Sequence, residues 1–208
     1  VLNPKEVVFE GGRELELDAV SEVPRYYVYN AYGVCGIYSA PGTAVKEAYD
    51  TSGIVTSDRG VTVWLKGNRV SRNQIMAIKE ESVTEQKNSL AVCLDNILRH
   101  AGITRNTEYD LAQGKTATTI LSENMTGVQV LDLSGCTLDA VLYYVNQDIP
   151  VLAILEDGEA VLVTGFNEFN VVIMEPATGK LYKKGMNDAT AWFAENGNHF
   201  ITYMRTEN

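Results

Sequence analysis

Three apolar segments that follow one another closely between residues 150 and 176 constrain the fold of this chain more than any other feature. They read PVLAIL, AVLVTGF and NVVIMEP, and their β-branched and aromatic content is typical of strands. Only short turns separate them, and the first turn contains Asp157 and Gly158. Parallel strands need a crossover of about a dozen residues or more, so we expect these three strands to pair antiparallel.

Helical patterns dominate the preceding segment. The longest is NSLAVCLDNILRHAG, in which apolar residues recur at helical spacing, Asn88 or Ser89 can cap the start and Gly102 can end the helix. Further helices are predicted at EYDLAQG, KTATTILSEN, TLDAVLYYVNQD and NDATAWFAENG, and FITYMR predicts a closing strand. Helices followed by an antiparallel sheet indicate an α+β fold.

The first third of the chain predicts a separate, smaller unit. YYVYN and GVCGIYS favour a strand pair, PGTAVKEAYDTSG a helix that stops at Gly53, and IVTS with VTVWLKG a hairpin, after a possible edge strand at residues 6–10. This is a β-β-α-β-β order. We therefore expect a small α+β domain at 1–70, a polar linker at 71–84 and a second domain at 85–208.

Composition narrows the classes of partner. The 208 residues are 45% hydrophobic and carry a net charge of -10, so the chain can bury a core but should repel nucleic acid and anionic membranes. Two histidines and three cysteines without a CxxC pair favour neither a metal site nor a cofactor. No apolar run is long enough to span a membrane, although a start at Val1 suggests processing or a fragment.

The second unit resembles the papain-like cysteine peptidases, in particular the branch related to bacteriocin-leader (double-glycine) peptidases. The likeness covers residues 88–203 and runs in order through HAGI, QDIPVLAIL, GEAVLVTGF, VVIMEPATG and MNDATAWFAENG. It implies a papain-like domain with an antiparallel sheet and packed helices. Chemistry in that family needs a cysteine thiolate, a histidine and a carboxylate or amide that orients the histidine.

The resemblance places other residues at these positions. Ser89 stands where the nucleophile is expected, Glu159, or Ala160 after a one-residue slip, replaces the histidine, and Glu175 replaces the orienting aspartate. Gln86 is too close to Ser89 to match the family's oxyanion glutamine. The sequence therefore favours a non-catalytic peptidase-like domain that binds or scaffolds a peptide or protein.

Two catalytic alternatives stay open. Cys93 lies on the same helix and could be the nucleophile of an active peptidase or amidase, with His199 or His100 as base, although its phase places it on the apolar face. Ser89 could instead act with Glu159 as a serine-carboxyl pair, which needs the pKa of that glutamate raised by burial.

A third hypothesis assigns the function to the first unit. Its exposed tyrosines could recognise a cell-envelope ligand, with the second unit as a spacer. Two-part chains that contain a peptidase-like domain with replaced catalytic positions resemble envelope-exposed parts of bacterial proteins. We therefore expect an extracytoplasmic bacterial setting without membrane insertion of this segment.

Overall fold

The computed structural model describes residues 8–10 and 13–15 as backbone, and residues 23–66 and 88–206 with their side chains. The predicted linker at 71–84 and Gln86 lie outside these residues. The described helices are α1 (Pro41–Thr51), α2 (Ser89–His100), α3 (Glu108–Ala112), α4 (Ala117–Asn124), α5 (Leu138–Val145) and α6 (Met186–Glu195).

Twelve strands form three antiparallel sheets within the described residues. The strands are β1 (Val8–Glu10), β2 (Arg13–Leu15), β3 (Tyr26–Asn30), β4 (Gly33–Tyr38), β5 (Ile54–Ser57), β6 (Thr62–Leu65), β7 (Val128–Asp132), β8 (Val151–Ile154), β9 (Ala160–Phe166), β10 (Asn170–Glu175), β11 (Lys180–Gly185) and β12 (His199–Arg205). β1 pairs with β2, the four-stranded sheet has the order β4-β3-β5-β6, and the six-stranded sheet has the order β11-β10-β9-β8-β12-β7.

The consecutive antiparallel pairing of β8, β9 and β10 confirms the prediction from their short connections. The order β3-β4-α1-β5-β6 likewise matches the pattern predicted for the first unit. Two strands of the large sheet, β7 and β11, were not predicted. β11 reads KLYKKG and lies at the sheet edge, so its side chains show little of the apolar pattern that identifies a strand.

The predicted end of α1 at Gly53 is shifted by two residues, because the helix ends at Thr51 and Ser52 takes the left-handed conformation with φ 55°. Gly53 has a different role. A Cβ at this position would collide with the backbone carbonyl of Tyr29 on the neighbouring strand. The glycine is therefore needed for the close approach of two backbones rather than for a positive φ.

All seven residues of β9 are buried. Since side chains alternate between the two faces of a strand, the centre of the six-stranded sheet must be covered on both sides. α2 and α5 both pack on β8 and β9, α4 packs on β7 and α6 on β10 and β11. The result is a mixed helix and sheet arrangement in which the start of α2 meets the start of β9.

The first unit packs directly on the second. α1 covers one face of the four-stranded sheet and also contacts β7. Trp64 Nε1 donates to the carbonyl of Ala140 at 3.0 Å, and the hydroxyl of Tyr144 donates to the carbonyl of Val63 at 3.1 Å. Buried residues of both units belong to one continuous hydrophobic cluster.

Candidate functional site

The N-terminus of α2 is built by two neighbouring polar residues with different partners. The side chain of Asn88 accepts hydrogen bonds from the amides of Leu90 and Ala91 at 2.9 and 3.2 Å, so Asn88 is the cap. Ser89 is the first helical residue and is 8% exposed. Its Oγ accepts a hydrogen bond from the backbone amide of Ala160 at 2.9 Å. The helix start is thereby fixed to the first residue of β9.

The sheet register brings the other positions implied by the resemblance to the end of the sheet at which β9 begins. Ala160 pairs with Ile154 of β8, and Ile154 pairs with His199 of β12, so these three residues form a row across the sheet. On the opposite side of β9, Met174 pairs with Leu162. Glu175 is the next residue after Met174 and ends β10.

The carboxylates of Glu159 and Glu175 are exposed beside this edge. Glu159 follows the turn at Asp157, whose carboxylate accepts from the amide of Glu159 at 3.0 Å. The carboxylate of Glu175 accepts from the hydroxyl of Thr178 at 2.7 Å. Each carboxylate is therefore solvated or held in a local turn, and neither is buried.

Cys93 lies one turn further along α2, in the core. Its side chain is completely buried, and burial raises the pKa of the thiol well above its ordinary value. The negative charge of Glu159 raises that pKa further. In a cysteine peptidase the neighbouring imidazolium acts in the opposite direction, because a positive charge stabilises the thiolate.

Neither histidine is hydrogen-bonded to Cys93 or Ser89 within the described residues. His100 is half-buried at the end of α2, and its Nε2 contacts the backbone carbonyl of Asp148. His199 is exposed at the start of β12, with its ring against Gly197. The His100 contact links the end of α2 to the segment after α5.

The acidic character of the edge follows from its turn sequences. Glu156, Asp157 and Glu159 are exposed between β8 and β9, and Glu175 is exposed at the end of β10. Residues 88–206 contain fourteen carboxylate and seven lysine or arginine side chains. We use the name frame edge for the region formed by the start of α2, at Asn88 and Ser89, and the four exposed carboxylates Glu156, Asp157, Glu159 and Glu175. The four carboxylates make this edge locally acidic.

The amide of Ala160 was not predicted as part of the site. A backbone N–H leaves no mark in the residue letters, and only the meeting of α2 with β9 gives it a partner. In the described part of the chain, no group of three or more His, Cys, Asp or Glu side chains is arranged to hold a metal ion. No described helix is both long and apolar enough to cross a membrane.

Two of the cavities formed by the described residues lie away from this edge. The larger, of about 650 Å³, lies between the two units and is lined by β6, by Tyr143, Tyr144 and Gln147 near α5, and by Arg205 at the end of β12. The smaller, of about 350 Å³, lies on the other side of Arg205. Neither is lined by a residue of the frame edge.

Comparison with known proteins gives a structural likeness only. The sequence matches no protein-family model and no curated protein. Among solved structures, the chain is similar to one described as that of a "putative C39-like peptidase" from Bacillus anthracis, with a TM-score of 0.54 and 13% identity over 65% of this chain and 98% of that chain. With sequence identity this low, the structural likeness shows a shared fold and nothing more. The chain thus shares its overall fold with that structure over the matched part of its length.

Proposed function

We propose that the chain is a non-catalytic member of the papain-like fold that binds a peptide or a segment of another protein at the frame edge. One observation carries the proposal. The side chain of Cys93 is buried, and its thiol pKa is raised by that burial and further by the charge of Glu159, the residue that the resemblance places at the family's histidine; an imidazolium would lower it. The frame edge therefore lacks the electrostatics that a cysteine nucleophile needs.

The environment of Ser89 supports the same conclusion. Its Oγ is engaged by the amide of Ala160, and no histidine is hydrogen-bonded to it among the described residues. The serine-carboxyl alternative needs a buried glutamate, whereas Glu159 is exposed. The Cys93 alternative needs an accessible thiolate, whereas the side chain of Cys93 is completely buried.

The four carboxylates of the frame edge specify the charge of the ligand. Long-range attraction to this acidic edge favours a basic peptide and opposes an acidic one, and the attraction should weaken as salt is added. The extracytoplasmic bacterial setting expected from the sequence belongs to this proposal, because a secreted or envelope-exposed binding module can meet extended peptides there.

The test uses fluorescein-labelled ten-residue peptides of equal length, one lysine-rich and one glutamate-rich. Fluorescence anisotropy measures binding, and mass spectrometry of the same samples measures cleavage. We expect the basic peptide to bind and to stay intact. Glu159→Lys and Glu175→Lys should each weaken binding by roughly 3- to 10-fold, because each reverses one charge beside the peptide.

Glu168→Lys is the matched control, since Glu168 is exposed in the turn beyond the other end of β9, roughly 20 Å away along the strand. It makes the same charge change and should leave binding nearly unchanged. Cleavage that Ser89→Ala abolishes would overturn the non-catalytic role. Equal binding of both peptides, or an equal effect of all three substitutions, would overturn the assignment to the frame edge.

A further inference from the structure

One face of the four-stranded sheet is apolar and uncovered by any described element. Along β3, Tyr26 and Val28 are buried on the side of α1, while Tyr27 and Tyr29 alternate to the other side. The registers extend this second side across all four strands. We call it the open sheet face, and it comprises Val34, Tyr29, Ile54 and Leu65 in one row and Ile37, Tyr27, Thr56 and Thr62 in the next.

The exposure of this face is unusual for a sheet. Val34 is 59% exposed and Ile37 is 55% exposed, although a solvated sheet face normally carries polar side chains. None of the eight side chains of the open sheet face is charged. A contiguous apolar patch of this kind is typical of an interaction surface. Its tyrosines suit such a surface because their rings pack while their hydroxyls tolerate water.

We propose that the open sheet face packs against the same face of a second copy of this chain, forming a sandwich of two four-stranded sheets. The exposed area of the eight residues is on the order of 600 Å² per copy, so two copies bury roughly 1,200 Å², the lower end of specific interfaces. Two facing sheets pack about 10 Å apart with interdigitating side chains, and the two rows of the open sheet face supply such side chains.

The distribution of charge favours self-association through the open sheet face over self-association through any other surface of the chain. A chain with a net charge of -10 repels itself wherever its acidic surfaces meet. Residues 23–66, however, carry four lysine or arginine side chains and three carboxylates. Residues 88–206 carry seven lysine or arginine side chains and fourteen carboxylates. Contact through the open sheet face therefore joins the nearly neutral units and keeps the acidic units apart.

The test is the association state of the full chain, measured by sedimentation velocity between roughly 1 and 100 µM, where dimers of micromolar affinity dissociate. We expect the unmodified chain to change from monomer to dimer in this range. Ile54→Lys and Thr62→Lys each place an ammonium in the interface and should raise the dissociation constant by at least about 10-fold. Thr62→Lys replaces an already polar, exposed side chain, so it tests the interface even if Ile54→Lys affects folding.

Tyr109→Lys and Phe169→Lys are the controls, because Tyr109 and Phe169 are 72% and 70% exposed in the second unit. Both should leave the dissociation constant unchanged. A chain that stays monomeric throughout the range, or a dimer that the controls weaken as much as Thr62→Lys does, would overturn the dimer. Dimer formation is independent of peptide binding, since the open sheet face and the frame edge belong to different units and have separate readouts.

Discussion

The Oγ atom of Ser89 and the backbone amide of Ala160 are 2.9 Å apart, although 71 positions separate the two residues in the chain. This hydrogen bond joins the first turn of α2 to the first residue of β9 in a buried environment. The resemblance places the family's nucleophile at Ser89 and its base at Glu159 or Ala160, so this contact lies where that chemistry is expected.

We expect Ser89→Ala to lower the free energy of unfolding by about 1–3 kcal/mol, because the buried amide of Ala160 loses its acceptor. Urea unfolding followed by circular dichroism measures the change. Ser134→Ala is the control, since Ser134 is exposed, and it should change stability by less than about 0.5 kcal/mol. Equal stability of the two variants would mean that the Ser89 contact contributes nothing.

The three cysteines should differ sharply in reactivity. Burial raises the pKa of Cys136 to about 12 and that of Cys93 still higher, while Cys35 is exposed. Iodoacetamide should therefore modify Cys35 in the folded protein at pH 8 and reach the other two only after unfolding. Site-resolved mass spectrometry measures each rate, and fast labelling of Cys93 in the native chain would restore the peptidase alternative.

The same two pKa shifts predict the response to alkali. Both buried thiols hold their protons more tightly in the folded state, so their contribution to stability is complete below the ordinary thiol pKa near 9. It is lost as the pH rises above that value. The urea midpoint should fall between about pH 9 and 11, and Cys136→Ala should make this decline shallower.

Replacing Glu159 by histidine tests whether residue 159 lies beside the start of α2. In Ser89→Cys the new thiol stands at the start of α2 beside Glu159, and in the double variant Ser89→Cys/Glu159→His it stands beside an imidazole. The helix dipole and an imidazolium both stabilise a thiolate, so alkylation of position 89 at pH 6 should be at least about 10-fold faster in the double variant. Equal rates would show that residue 159 does not face the start of α2.

Acid sensitivity should depend on Asp110. Its carboxylate bonds Arg105 at 3.0 Å and Lys115 at 3.2 Å, and these hydrogen bonds hold its pKa below the ordinary value of 3.8. The stabilisation is present above that value and is lost as the pH falls through the lower folded pKa. Asp110→Asn should therefore lower the unfolding midpoint at pH 7, and the difference should shrink below about pH 4. Glu108→Gln, an exposed neighbour, should show no such pattern.

The contacts between the two predicted domains predict one unfolding transition. The hydroxyl of Tyr144 reaches across to Val63, so Tyr144→Phe should cost about 1 kcal/mol, whereas the exposed Tyr109→Phe should cost nothing measurable. The two tryptophans divide between the units. In Trp192→Phe, fluorescence reports only Trp64 in the first unit, and its urea midpoint should coincide with that of circular dichroism. Separate midpoints would indicate independent domains.

The sequence by itself determined the elements whose cause is local. The short connections of β8, β9 and β10 permitted only antiparallel pairing, and the apolar phase of α2 placed Cys93 on its buried face. Asn88 and Ser89 were equivalent as caps in the sequence. β11 escaped prediction because it lies at a sheet edge and none of its residues is fully buried, so burial leaves no periodic pattern in its sequence.

Tertiary structure alone decided which distant groups meet. The pairing of Ser89 with the amide of Ala160, the influence of Glu159 on Cys93 and the open sheet face all depend on strand register and helix docking. These arrangements result from burying one shared core, in which many weak contacts are optimised together. The sequence pattern of a helix or strand shows which of its faces is apolar. It does not show which other helix or strand will pack against that face.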